Sequence, residues 1–517
     1  MTPFKNEVVW DFKDQEQLNK QKEAIAKVRA SFGKEYPNYI NGKESFTDKK
    51  TKSYNPSNKE ELIGIFQKAG QKEAEEAHQA AQEAFKTWSR VAPEERAEYL
   101  FKAAQIIRER RYEINAWMIS EVGKNYIEAD ADTCEAIDFL DFYGREMIRY
   151  SQKQELTGAD GEDNDYFYIP LGVGLVVPPW NFPFAILIGM ATASIVAGNT
   201  IVLKPSSDSP MMGWLFMDIM NSLGLPAGVI NFLVASGAET GDYLVDHPQT
   251  RFISFTGSME VGIRIYERAA KVNPGQIWLK RVVAEMGGKD AMIIDSEITD
   301  YEYSADQVVK AAFGFQGQKC SAGSRAIIDQ KVWDKVVPLI IEKTKALQVG
   351  DAKDNFANGA VINESAYKSI LNYIEIGSKE GKLLCGGDDE NKSGWYIKPT
   401  VIETGENDTL AKEEVFGPVL SLIKSNDFEH SVEIFNSTIY GLTGGLITNN
   451  EEKLERARRE LHCGNLYLNR KCTGALVDVH PFGGFNMSGT DSKAGSRDYL
   501  LLFMQGKSVA KTNNRSV

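Results

Sequence analysis

A chain of 517 residues exceeds one small core and implies two or more domains. At 42% hydrophobic and 25% charged it has the make-up of a water-soluble globular protein, which excludes a disordered or fibrous chain. Its net charge of −13 argues against a nucleic-acid backbone or an anionic membrane surface as partner.

The opening residues are polar and mixed in charge, without the apolar core of a signal peptide. Residues 1–60 read as a polar, partly helical lead-in, with Asn41-Gly42 and Asn55-Pro56 as turns. From about 71 to 149 apolar residues recur at helical spacing among Glu, Lys and Arg; Pro93 starts one helix and Gly123 ends another. Residues 151–170 are polar, then alternating, and predict a hairpin or an arm that leaves the main body.

From 171 the rhythm changes. LGVGLVV, NTIVLKP, GVINFLV and RFISFTGS read as strands, alternating with helices after Pro183, across MMGWLFMDIMNSLG and across MEVGIRIYERAAK. No charge occurs from Leu171 to Leu203, but Pro178, Pro179 and Pro183 interrupt that run. The apolar part left falls short of the ~20 residues of a membrane span, so it reads as a buried helix between buried strands. A second run follows 287: strands at DAMIIDS, RAIIDQ, IKPTVI, PVLSLIK and GLTGGLIT, helices over 301–316 and 331–347. Alternation of this kind predicts parallel sheets covered on both faces, hence two α/β domains joined near Met286-Gly287-Gly288. The end segment LLLFMQGKSVAK reads as an exposed strand.

Several turns carry chemistry. In FGFQGQKCSAGSR, Cys320 stands in a small polar turn, where backbone N–H groups could hold a thiolate nucleophile. Pro179-Trp180-Asn181-Phe182-Pro183 fixes Asn181, either as an oxyanion donor or as a helix cap. Lys204 ends a strand, where it could reach a ribose or phosphate or simply be solvated. Gly257 and Ser258 open a helix whose N–H groups favour a phosphate; a plain capping turn is the alternative. Glu285, against two glycines, suits a general base of raised pKa, or a salt bridge to Lys289. Glu414, before a buried Phe416, could accept from ribose hydroxyls or mark an acidic helix start. Cys134, Cys385, Cys463 and Cys472 read as structural, and His462 beside Cys463 as a surface pair. No CxxC pair and no histidine cluster at zinc spacing occurs, so no metal is expected and a reducing cytoplasm fits.

PWNFP, LKPS, FTGSMEVG, EMGGK, GQKC, EEVFGPV and PFGGFNMSG, in this order from about 40 to 505, resemble the aldehyde dehydrogenase superfamily. FQGQKCSAGSR, RKCTGALV and the long lead-in are similar to its pyrroline-5-carboxylate (L-glutamate γ-semialdehyde) dehydrogenase branch, as a stand-alone enzyme. The resemblance implies a Rossmann-type parallel-sheet cofactor domain with an N-terminal helical lead-in (1–150 and 171–286), an α/β catalytic domain (287–490), and an oligomerisation arm with the C-terminal strand (151–170 and 491–517). It implies Cys320 as nucleophile, Glu285 as base, and Asn181 with the Cys320 N–H as oxyanion hole. NAD would lie against Pro179, Trp180, Lys204, Gly257, Ser258, Glu414 and Phe416. Many relatives carry Glu where Ser207 stands, so NADP use is expected beside NAD. Gly474, Ala475 and Ser321 would take the substrate carboxylate, Phe182 and Phe482 its methylenes, and Glu135 its ammonium. The arm and the final strand are expected to be edges lacking partners within one chain, hence a homodimer or larger. Oxidation of another carboxylated semialdehyde, or a non-catalytic binding role, remain alternatives.

Overall fold

The computed structural model describes residues 3–387 and 393–513. The outermost ends of the expected 1–150 and 491–517 segments, residues 1–2 and 514–517, lie outside the described residues.

The first large sheet has seven strands in the order Arg281–Glu285, Thr250–Thr256, Val173–Val177, Thr200–Leu203, Ile230–Phe232, Asn38–Ile40, Lys43–Ser45. The first five are parallel. The chain enters at Val173–Val177, moves outward to one side, then returns to build the other. The strand order therefore reverses between Val173–Val177 and Thr250–Thr256, the place where open α/β sheets bind ligands beyond their carboxyl ends. PWNFP and Gly257-Ser258 follow those two strands directly.

The second sheet has the order Lys382–Cys385, Thr400–Glu403, Val419–Ser425, Arg325–Asp329, Ala291–Ile294, Thr443–Ile447, Asn465–Leu468, parallel except for the first strand. Five residues, Met286 to Asp290, separate the end of Arg281–Glu285 from this sheet's first central strand.

The helix Ala185–Val196 is buried on nearly every side, which accounts for its apolar composition. It packs under Tyr126–Tyr150, a helix capped by the Asn125 side chain. No helix among the described residues is long and apolar enough to cross a membrane.

Four expectations need correction. The lead-in contains strands as well as a helix: Lys34–Tyr36, Lys50–Asn55 and Asn58–Gln67 form a three-stranded sheet. Its half-exposed strands are rich in Lys and Glu, so they lack an apolar alternation. The helix expected over 301–316 ends at Phe313, and Phe315 and Gln316 then take left-handed φ values of 48° and 56°. Contacts override helical propensity there: Phe315 is fully buried, and the Gln316 amide donates to the carbonyls of Gly123 (3.0 Å) and Ala360 (2.9 Å). The arm strand Glu162–Pro170 does not lack a partner, because it pairs antiparallel with Met504–Thr512 along its whole length. Finally, residues 491–503 do not belong to an arm; Tyr499, Leu500 and Phe503 are core residues, in a 3-10 turn rather than an exposed strand.

Asn199, fully buried, ties these parts together. Its Oδ1 accepts from the N–H groups of Leu171 (2.7 Å) and Gly172 (2.9 Å), and its Nδ2 donates to the carbonyls of Ser194 (3.0 Å) and Phe503 (2.9 Å). Asn199→Ala strands several buried polar groups, each of which costs ~1–3 kcal/mol. A loss of at least about 3 kcal/mol in urea unfolding is expected; a loss under about 1 kcal/mol would mean that water replaces the side chain.

Candidate active site

The carboxyl ends of the first sheet face turns of the second, which the Asn181–Gln318 hydrogen bond joins. The first presents its carboxyl ends; the second presents the turns that enter its strands. The turn containing Cys320 enters Arg325–Asp329, Gly287–Asp290 enters Ala291–Ile294, and Glu414–Phe416 enters Val419–Ser425.

Asn181 is buried, and its Nδ2 donates to the Gln318 carbonyl at 3.1 Å. It does not cap the following helix, whose first N–H, from Ala185, goes to Asp132 Oδ1 at 2.6 Å. Trp180 meets the ring of Phe416 edge-on at 5.6 Å. Pro179 and Phe182 are half-buried beside them.

Gly317 has φ +65°, and a Cβ there would lie 2.2 Å from the Gly417 carbonyl oxygen. Only glycine fits, so the turn before the thiol packs directly on the turn after Phe416. Gln318 is anchored again through Oε1, which accepts from the Ile362 N–H at 2.9 Å. Cys320 is half-buried, with its sulfur facing the Ser321 backbone N–H. Burial pushes its pKa well up, and Asp290, Glu414 and Glu285 push the same way, against the Ser321 N–H. The enclosure therefore opposes the thiolate that the polar turn alone suggests. The local sequence is polar, but the fold encloses it among acids.

Glu285 ends its strand and is buried. Its Oε1 accepts from Ser492 Oγ and its Oε2 from the Gly484 N–H at 3.3 Å. The pairing with Lys289 that the sequence allows is not made. Burial, partly offset by those two donors, raises its pKa to about 8. Glu414 follows the short helix Thr409–Lys412 rather than starting one. Its Oε1 accepts from the Gly288 N–H at 2.9 Å, and burial raises its pKa to about 7. A Cβ at Gly287 would lie 2.0 Å from its other oxygen, so that glycine makes room for the carboxylate. Phe416 is half-buried, not buried, and takes φ 54°.

Lys204 is buried, and the nearest acceptor of its Nζ among the described residues is the Pro205 carbonyl at 3.5 Å. Desolvation lowers its pKa to about 8, as befits a cation whose counter-ion is not part of the fold. Ser207 is exposed and lines a cavity of about 210 Å³ together with Lys52, Lys59, Asp208 and Trp395. Ser258 caps the helix Met259–Ala270, its Oγ accepting from the Val261 N–H at 3.4 Å. At Gly257 a Cβ would meet the Phe255 ring at 2.6 Å, so packing alone requires glycine there. A larger cavity of about 650 Å³ between Thr344–Val349 and Gly386 holds none of these residues.

On the other side of Cys320, Ser321 is buried, and its carbonyl accepts from Thr443 Oγ1 at 3.4 Å and from the Cys472 thiol at 3.6 Å. This ties the Cys320 turn to the loop carrying Gly474 and Ala475. Gly474 is exposed at φ +81°, with Arg470 Nη2 donating to the carbonyls of Thr473 (2.9 Å) and Gly474 (3.4 Å). A Cβ there meets nothing closer than 3.7 Å, so backbone conformation rather than crowding selects glycine. Phe482 exchanges backbone hydrogen bonds with Ala494. Glu135 is half-buried, and burial, then Asp132, raises its pKa to about 8. Cys134, Cys385, Cys463 and Cys472 are all buried, and exposed His462 bonds Asn486 rather than Cys463.

Sequence reasoning missed Ser492 and Gly484, the two donors to Glu285, and the buried pair Lys124–Asp132. Ser492 and Gly484 lie 207 and 199 residues from Glu285, so no local pattern could place them there.

Residues 43–509 match the aldehyde dehydrogenase family. The chain belongs to that family. It is 54% identical over 511 residues to a 1-pyrroline-5-carboxylate dehydrogenase of Geobacillus sp. (strain WCH70), covering 98% of this chain and 99% of that one. The structure superposes on 1-pyrroline-5-carboxylate dehydrogenase from Thermus with bound NAD at a TM-score of 0.98 and 47% identity, covering 99% of each chain. It also matches proline utilization A (PutA) from Bdellovibrio bacteriovorus at a TM-score of 0.97 and 42% identity, covering 99% of this chain but 54% of that one.

The Ser492 hydroxyl stabilises ionised Glu285, so its loss raises the carboxyl pKa further above about 8. In Ser492→Ala the carboxylate infrared band of Glu285, identified by its absence in Glu285→Gln, should titrate at least half a unit higher, one unit being worth about 1.4 kcal/mol. An unmoved or lowered midpoint would show that Gly484 and Lys493 set it instead.

Proposed function

We propose that this chain oxidises L-glutamate γ-semialdehyde, the open form of 1-pyrroline-5-carboxylate, to L-glutamate with NAD. The observation that carries this reading is the 54% identity over 98% of the chain to a 1-pyrroline-5-carboxylate dehydrogenase. The geometry agrees in chemistry. Cys320 is the nucleophile; burial keeps it a thiol at rest, and its proton passes to solvent water as the aldehyde enters. The sulfur bonds to the aldehyde carbon. Asn181 Nδ2 has two hydrogens, one of them donated to Gln318, which leaves the other for the oxyanion beside the Cys320 N–H. Collapse of the oxyanion expels hydride and leaves a thioester on Cys320. Glu285 takes a proton from water, whose oxygen attacks the thioester, and returns it to the departing sulfur, freeing the carboxylic acid and the thiol. Because the base must be ionised, this step should speed up as pH rises through about 8.

When bound, NAD supplies the hydride acceptor. The residues fit such a group: buried Lys204 has no counter-ion among the described residues, the helix opening at Ser258 presents its N-terminus, and Glu414 is placed as an acceptor. Pro179, Trp180 and Phe416 supply the packing surface beside them. Gly474, Ala475 and Ser321 take the carboxylate of the substrate, Phe182 and Phe482 its methylenes, and Glu135 its ammonium. The domains would be 1–150 with 171–286 for the cofactor and 287–490 for catalysis. A homodimer or larger assembly is supported by the outer edges of the paired arm and by exposed Ile277 (84%) and Leu279 (75%). The five unpaired cysteines favour a cytoplasmic setting.

NADH formation with 1-pyrroline-5-carboxylate tests the reading. The parent should be active, Cys320→Ala inactive, and succinate and glutarate semialdehydes poorer substrates. Equal or better turnover of either would replace the substrate, and no NADH from any aldehyde would end the assignment.

Ser207 carries no charge to repel a 2′-phosphate, and Lys52 and Lys59 line the same cavity. Measurable NADP use is expected, with NAD preferred. Ser207→Glu should lower kcat/KM for NADP relative to NAD roughly tenfold to a hundredfold, a discrimination of about 1.5–3 kcal/mol. An unchanged ratio would place the 2′ position elsewhere, with Asp208 the neighbouring acid.

A further inference from the structure

The turn bearing Asn181 and the turn bearing Cys320 come from different sheets, yet both rest on one buried ion pair. Lys124 and Asp132 are each fully buried, and Lys124 Nζ lies 2.7 Å from Asp132 Oδ2. The ammonium also lies 4.0 Å from the centre of the Phe182 ring and 4.8 Å from that of Phe315. Phe182 follows Asn181 directly, and Phe315 stands five residues before Cys320 in the left-handed stretch. Asp132 completes the arrangement through its other oxygen, which accepts the Ala185 N–H at 2.6 Å. That bond caps a helix whose own N-terminal residue, Phe184, offers no side-chain cap. The backbone at Lys124 is tied to the same stretch, because the preceding Gly123 carbonyl accepts from Gln316 Nε2 at 3.0 Å.

A fully buried ion pair is weak evidence for stability, since apolar residues of similar size often replace one without loss. A cation held against two rings fixes their relative positions, and these rings belong to the two catalytic turns. We propose that Lys124 and Asp132 are positioning residues for aldehyde oxidation: the pair sets the register between the oxyanion donor Asn181 and the nucleophile Cys320. The proposal rests on the aldehyde-oxidising reading above.

The test compares two readouts of Cys320 in Lys124→Met, which removes the cation, and in Asp132→Asn, which breaks the pair but keeps the acceptor for Ala185. Alkylation of Cys320 by iodoacetamide, followed on its peptide by mass spectrometry, needs an accessible thiol but no oxyanion hole. The single-turnover rate of NADH formation, with propanal and with the semialdehyde, needs both turns in register. NADH formation should fall at least fivefold in each variant with both aldehydes, while alkylation stays within twofold of the parent. A merely structural pair would lower the two rates together or leave both unchanged, and either result overturns the proposal. If Lys124→Met does not fold, Asp132→Asn decides alone; if neither folds, the pair is a folding element and the proposal fails. A parent that makes no NADH would instead refute the aldehyde-oxidising reading.

Discussion

The hydrogen bond from the Asn181 amide to the Gln318 carbonyl is the point on which the site depends. It joins the carboxyl edge of one parallel sheet to a turn entering the other. The turn can come this close because Gly317, at φ +65°, lies against the Gly417 carbonyl, where no side chain fits. The same packing brings Phe416 against Trp180. The residues proposed as nucleophile, oxyanion donor and nicotinamide contacts are thereby organised by a few contacts between segments a hundred or more residues apart.

Enclosure then determines the electrostatics. Burial and the nearby Asp290, Glu414 and Glu285 disfavour ionisation of Cys320, and burial with Glu414 does the same to Asp290. Lys204 has the complementary problem, as a buried cation with its pKa lowered to about 8 for want of an anion. Both departures point to partners that bind rather than to groups within the fold.

Much of the fold was legible in the sequence. The switch from helical spacing to short β-branched runs at 171 marked the first parallel sheet, and Met286-Gly287-Gly288 marked the passage to the second. These features are local: strands buried on both faces must be continuously apolar, and a chain leaving one sheet needs small residues. The turns with candidate chemistry were legible too, because Pro, Gly and single polar residues stand out against apolar strands. Strands within the lead-in were not legible, since half-exposed strands rich in Lys and Glu carry no period.

Residue types and their order determined the α/β class, the turn positions and the identities of Cys320, Glu285 and Asn181 as candidates. Only the tertiary structure decided their state. It showed Cys320 enclosed among acids rather than held as thiolate, Glu285 bonded to Ser492 rather than to Lys289, and the arm strand paired with the chain's own final strand. The physical reason is range. Backbone conformation and turn chemistry are set by neighbours in sequence, whereas burial, charge and strand pairing depend on which distant segments the fold brings together.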